Sequence, residues 1–149
     1  MNSELLTQQV SVFLENKSGR LAEVCQSLGE SGINIRALCI ADTSDFGILR
    51  LIVDKPEEAV TVLEERGFSV GSTGVLALRI PDVPGGLGGV LLHLEARGIN
   101  VEYMYAFFIT VEGDAVVLFK VDDAVLDKTV EVLRENNIVA LPATEVYTL

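Results

Sequence analysis

Residues Glu15–Leu38, ENKSGRLAEVCQSLGESGINIRAL, and Pro81–Met104, PDVPGGLGGVLLHLEARGINVEYM, align without a gap at one constant separation along the chain. Gly19 and Gly85, Leu21 and Leu87, Val24 and Val90, Leu28 and Leu94, Gly32 and Gly98, Ile33 and Ile99, and Asn34 and Asn100 are identical pairs. Gapless identity at glycines and along one helical face marks a duplicated structural unit, and a repeat constrains the fold more than length does. At 149 residues the chain would otherwise read as one domain. The repeat divides it into modules 1–72 and 73–149, each small but large enough to fold.

Within the first copy, Thr7–Leu14 alternates polar and apolar residues through Val10, Val12 and Leu14, the period of a half-buried strand. Glu15–Gly19 reads as a turn. Leu21, Val24, Cys25 and Leu28 then recur at helical spacing, and Gly32 ends the helix as a residue free to take positive φ. Ile33–Ala41 and Phe46–Asp54 read as strands joined in a hairpin by a turn at Thr43-Ser44-Asp45. Pro56 opens a second helix with Glu57 and Glu58 in its first turn. Ala59, Val62 and Leu63 form its buried stripe, Gly67 its stop, and Phe68–Val70 a short closing strand. Gly71-Ser72-Thr73-Gly74 is the one linker-like stretch.

The second copy repeats this order. Val75–Ile80 is a strand, and Leu87, Val90, Leu91 and Leu94 line a helix stopped at Gly98. Val101–Thr110 and Asp114–Val121 pair as a hairpin, Val125, Val132 and Leu133 belong to a helix, and Ile138–Leu141 closes the copy. Each module is thus βαββαβ. The fold class is α+β, with two ferredoxin-like modules, each an antiparallel four-stranded sheet with both helices on one face. The other face still carries apolar residues and needs a cover from another module or another chain. Glu145–Leu149, EVYTL, reads as an opening strand of a third repeat that pairs on a sheet edge, beside Thr7–Leu14.

Composition narrows the function classes. Mean hydropathy is +0.40 with 49% apolar residues, high for a small chain, and this points to surface buried between modules or subunits. No apolar run approaches the roughly 18 residues needed to cross a bilayer, and MNSELLTQQ lacks the features of a signal peptide, so an intracellular, cytoplasmic protein is expected. A net charge of −11 without a local basic cluster argues against nucleic acid and membrane as partners. Cys25 and Cys39 stand where the second copy has Leu91 and Tyr105, which predicts free, buried thiols.

The pattern strand–[ND]-x-[SP]-G–helix–G-I-N-[IV]–strand resembles the ACT domain, a regulatory module of amino-acid-metabolic enzymes. Asn16-Lys17-Ser18-Gly19 and Asp82-Val83-Pro84-Gly85 match its turn; Gly32-Ile33-Asn34-Ile35 and Gly98-Ile99-Asn100-Val101 match its second signature. The resemblance covers nearly the whole chain twice, as in a stand-alone tandem ACT protein without a catalytic domain. In the similar serine-sensing regulatory domain of phosphoglycerate dehydrogenase, asparagines matching Asn16 and Asn34 hold the amino acid across an interface between two modules.

The residues themselves give a physical reason for such a site. A helix starting at Arg20 and Leu21 after Gly19 has N–H groups without intrahelical acceptors, and these suit a carboxylate. Asn16 offers a carbonyl to an ammonium. Asn34, placed at the start of the adjacent parallel strand with Ile35, is expected to face the same crevice. Candidate ligand-binding residues are therefore Asn16, Ser18, Gly19, Arg20, Leu21, Asn34 and Ile35, with Asp82, Pro84, Gly85, Gly86, Leu87 and Asn100 in the second copy. Taken singly, each asparagine also fits a turn or cap role. Asp82 favours an ammonium and repels a carboxylate, and the glycine-heavy Gly85–Gly89 fits either close approach of a ligand or helix, or packing alone.

Competing chemistries fail. The spacing G-x-G-x-x-G is not met, since Leu91 or Leu87 falls where a glycine is required. His93, the single histidine, aligns with Ser27 on a polar helix side, and no metal-ligand spacing or activated nucleophile is present. Glu57-Glu58, Glu64-Glu65 and Asp122-Asp123 read as solvated surface, and Tyr103, Tyr105, Phe107 and Phe108 as interface or core. The sequence thus predicts a non-enzymatic sensor without a cofactor or metal, which binds an amino acid at a module interface, forms a homodimer and acts on an enzyme of amino-acid metabolism. The alternative is a ligand-free assembly module that dimerises or docks onto such an enzyme.

Overall fold

The computed structural model describes residues 2–42 and 45–149. Of the turn expected at Thr43-Ser44-Asp45, Thr43 and Ser44 lie outside the described residues. The chain forms β1 (Leu6–Glu15), α1 (Arg20–Glu30), β2 (Ile35–Asp42), β3 (Phe46–Val53), α2 (Pro56–Glu65) and β4 (Ser69–Pro81). It continues with α3 (Gly86–Glu95), β5 (Tyr103–Val111), β6 (Asp114–Lys120), α4 (Leu126–Glu135), β7 (Val139–Ala140) and a single turn, α5 (Ala143–Val146). Two compact units result. The first comprises Gln8–Thr73 with Tyr147–Leu149, and the second the residues through Thr7 with Gly74–Val146. The terminal segments are therefore assigned differently from the sequence modules 1–72 and 73–149.

Strand order in the first unit is β2-β3-β1-β4, of which it holds Ser69–Thr73. β1 and β2 both run antiparallel to β3, with Leu14 opposite Gly47 and Ile40 opposite Leu49. β2 is thus separated from β1 by a whole strand, which corrects the adjacent placement expected from sequence. The second unit has order β5-β6-β4-β7, with Ile80 opposite Ala115 and Leu78 opposite Ala140. Both are α+β, ferredoxin-like ACT folds.

Each unit closes over its own core, because the strand period of two and the helical period converge on one sheet face. Val10, Val12 and Leu14 of β1 meet Leu49, Leu51 and Val53 of β3 under Val24 and Leu28 of α1 and Leu63 of α2. Leu76, Leu78 and Ile80 meet Val117 and Phe119 under Val90 and Leu94 of α3 and Leu133 of α4. Full burial of such a leucine contributes about 1.5–3 kcal/mol relative to exposure. The stripe of α1 is rotated from its expected setting. Leu21 is 44% exposed, while Ser27 is buried with its hydroxyl donating to the Glu23 carbonyl at 2.6 Å. Cys25 and Cys39 are free and half-buried, less enclosed than expected. Ala37, Ile52, Val75, Ala77, Val116 and Leu118, outside both clusters, are buried as well.

Helix ends follow one design. After α1, Gly32 takes φ of 71°, its N–H donates to the Gly29 carbonyl, and the Ile33 N–H donates to that of Leu28. The same pair of bonds closes α3, and Asn137 (φ 57°) takes the glycine role after α4.

Two expectations are overturned. Gly71-Ser72-Thr73-Gly74 is not a linker but the middle of β4. Ser72 Oγ donates to Gln8 Oε1 at 2.9 Å, and the Leu6 side chain fills the space beside Gly74, so neighbouring chain outweighs local turn preference. Glu145–Leu149 forms no strand: Pro142 accepts from the Glu145 and Val146 N–H groups, and the resulting turn drives Val146 into full burial. Beyond it, the Tyr147 hydroxyl accepts from the Gln8 N–H at 2.8 Å.

Candidate ligand-binding site

The two strand–helix turns share one pattern of backbone hydrogen bonds. Lys17 N–H donates to the Glu15 carbonyl at 2.9 Å, as Val83 N–H does to Pro81. Gly19 (φ 90°) and Gly85 (φ 82°) then reverse the chain in the left-handed region, where a side chain would be strained. Neither helix start has a side-chain cap. Glu23 and Gly89 N–H groups donate to the Gly19 and Gly85 carbonyls. Among the described residues, the N–H groups of Leu21 and Ala22, and of Leu87 and Gly88, have no backbone acceptor. They are the donors that a helix start leaves for an anion.

Side chains set the two turns apart. In the first, Asn16 is exposed with its N–H donating to the Asp45 carbonyl at 2.8 Å, and Ser18 is exposed beside it. Arg20 is half-buried; its guanidinium lies 4.8 Å from the centre of the Phe68 ring and donates to Glu23 at 3.0 Å. In the second, Asp82 and Pro84 are exposed and Leu87 half-buried. A Cβ on Gly86 would overlap the Pro81 carbonyl oxygen, so its own turn demands this glycine; Gly88 and Gly89 have open space.

Asn34 does not reach the crevice at Asn16. α1 carries the chain back across the sheet, about 16 Å for its 11 residues, so Asn34 enters β2 at the end opposite Asn16. There its N–H donates to Asp54 Oδ1 at 2.9 Å, its carbonyl accepts from the Asp54 N–H, and Ile35 packs against the core. Asn100 sits correspondingly at the far end of α3, on a cavity of about 540 Å³ with Leu94, Tyr103 and Met104. His93 is exposed. The described residues contain no cluster of metal-ligating side chains and no helix long and apolar enough to cross a membrane.

Two features escaped sequence reasoning. Leu14, Leu21, Ile40 and Gly47 line a small cavity with Asn16. A groove of about 470 Å³ runs from Gly19 to Arg66, whose guanidinium donates to Ser27 Oγ at 3.2 Å and Glu30 at 2.9 Å. A glycine inside a strand was the one signal for the first.

The model of the ACT domain pair matches residues 5–148. This chain belongs to that family. The ACT pair is similar to protein BT0572 from Bacteroides thetaiotaomicron, at 43% identity over 97% of this chain and 98% of that one, with a TM-score of 0.89. It is also similar to the regulatory subunit of aspartate kinase from Thermus thermophilus, at 14% identity over 87% and 93% of the two chains and a TM-score of 0.64. Aspartokinase III from E. coli, in complex with lysine and aspartate, matches at 17% identity over 88% of the ACT pair and 31% of that chain, with a TM-score of 0.54. Likeness to the two kinase proteins is one of fold. A search of curated proteins gives no match.

Proposed function

We propose that this ACT pair is a non-catalytic sensor that binds an amino acid beside the strand–helix turn, at an interface between two ACT modules. Occupancy is passed to an enzyme of amino-acid metabolism or to the pair's own assembly as a homodimer, in the cytoplasm. The observation that carries this reading is the first turn, where α1 begins with two open N–H groups and its Leu21 lines one cavity with Asn16. The N–H groups suit the α-carboxylate and the Asn16 carbonyl suits the ammonium. Because Asn16 and Asn34 lie at opposite ends of one module, a ligand held by both types of asparagine draws them from different modules, of one chain or of two copies. The regulatory role is supported by the fold likeness to an aspartate kinase regulatory subunit, and the ligand class by the lysine and aspartate of aspartokinase III.

Thermal melting of the full chain with each of the twenty amino acids tests this. A ligand bound only to the folded state adds about 2.7 kcal/mol at a hundredfold excess over Kd. A selective rise in Tm, lost in Asn16→Ala and in Asn34→Ala, is expected. No rise with any amino acid would sink the sensor and leave the assembly module.

A further inference from the structure

We propose that the first-copy site takes an amino acid with a short, branched aliphatic side chain; the proposal rests on the amino-acid reading above. Beside Asn16 a cavity of about 120 Å³ opens between the end of β1, the first turn of α1 and the β2–β3 pair. Its apolar wall is Leu14, Leu21 and Ile40, with Gly47 on the strand opposite Leu14. Leu21 and Ile40 are 44% and 49% exposed, although both are large aliphatic groups beside a buried Leu14. Exposed aliphatic surface of this kind around a concavity favours an apolar occupant.

Gly47 sharpens the argument. Its backbone lies outside the left-handed region, and a Cβ there would meet Ile40 Cδ1 at 3.5 Å, an ordinary contact. The fold therefore has room for alanine, and a glycine inside a strand weakens it unless something approaches closely. The second copy shows the alternative. Ala115 pairs with Ile80 where Gly47 pairs with Leu14, and Ala106 pairs with Val117 where Ile40 pairs with Leu49. The first copy has moved volume from the strand floor to the wall, which deepens the cleft and makes its side more apolar.

Charge and size exclude the other classes. Lys17 and Glu15 pair at 3.4 Å, and Arg20 and Glu23 at 3.0 Å, so the nearby charges answer one another. Against the apolar wall of Leu14, Leu21 and Ile40, a lysine ammonium or aspartate carboxylate would lose water without compensation. The volume of about 120 Å³ also falls short of the roughly 150 Å³ of a cavity that holds benzene, which favours the smaller aliphatic side chains.

Titration calorimetry of the full chain with each of the twenty L-amino acids decides the matter. Saturable binding of valine, leucine or isoleucine is expected, at least about tenfold tighter than that of serine, lysine, aspartate or phenylalanine. Gly47→Ala adds one carbon to the cleft and should weaken the branched ligand about tenfold or more, while the unliganded Tm stays the same or rises. Ile40→Ala, at an exposed position, should weaken it similarly. Preferential binding of a charged, hydroxylated or aromatic amino acid would overturn the side-chain class while leaving the amino-acid sensor standing. No binding of any of the twenty would overturn both readings. Branched-chain binding left unchanged by both variants would overturn the placement in this cleft.

Discussion

The turns at Glu15–Leu21 and Pro81–Leu87 have the same backbone hydrogen bonds and the same left-handed glycine, yet they present different chemistry. The first offers Asn16, a paired Arg20 and a cleft walled by Ile40; the second offers Asp82, a glycine in place of Arg20, and Ala106. Duplication has kept the scaffold and released the side chains. The backbone turn belongs to the fold and specificity is added afterwards, so equal substitutions in the two copies separate folding from binding.

The largest effect is expected where the copies agree. Leu28→Ala and Leu94→Ala occupy the same repeat position, both almost fully buried, and each should cost about 2–5 kcal/mol in urea unfolding. A loss below about 1 kcal/mol in only one of them would show that the cores are not equivalent. Next comes the turn itself. Gly86→Ala drives a carbon into the Pro81 carbonyl and should cost about 1–3 kcal/mol. Arg20→Ala, at the matching position, forfeits a ring contact and a surface ion pair, worth under about 1 kcal/mol each.

Binding should divide along the same line. Asn16→Ala removes the carbonyl that accepts from the ligand's ammonium and is expected to weaken amino-acid affinity about tenfold, read by calorimetry. Asp82→Ala, the same change in the second copy, should leave the first site's affinity within about twofold, because the cleft beside Asn16 is lined by Leu14, Leu21, Ile40 and Gly47 and not by Asp82. The smallest contrast lies at the helix stops. Gly67→Ala at φ of 88° should cost about 1–2 kcal/mol, whereas Asn137→Ala should cost less than about 1 kcal/mol, since asparagine has already met part of the strain.

What was legible in the sequence was whatever local period and repetition encode. Leu28 and Leu94, Gly32 and Gly98, and the βαββαβ order came directly from the duplicated pattern. Direction in space did not. The helical spacing from Leu21 to Leu28 implies a return across the sheet, but the strand order that separates β2 from β1 is not written in that stretch, and so the two asparagines were joined in one crevice. Ser27 looked polar and therefore outward, but the Glu23 carbonyl satisfies its hydroxyl and lets it replace Leu21 in the interior. Val146 looked like a strand residue, yet burial decided its conformation. The cleft depended on Ile40 and Gly47, on neighbouring strands whose register no single stretch of sequence reveals.

The hydrogen bond from Gln8 to the Tyr147 hydroxyl gives the molecule an optical handle. The chain has no tryptophan and three tyrosines, two of them in β5. Replacing Tyr103 and Tyr105 with phenylalanine would leave one ultraviolet fluorophore, fixed to the chain's end. Its emission and near-ultraviolet dichroism would then report directly on whether that end is seated, without any attached dye.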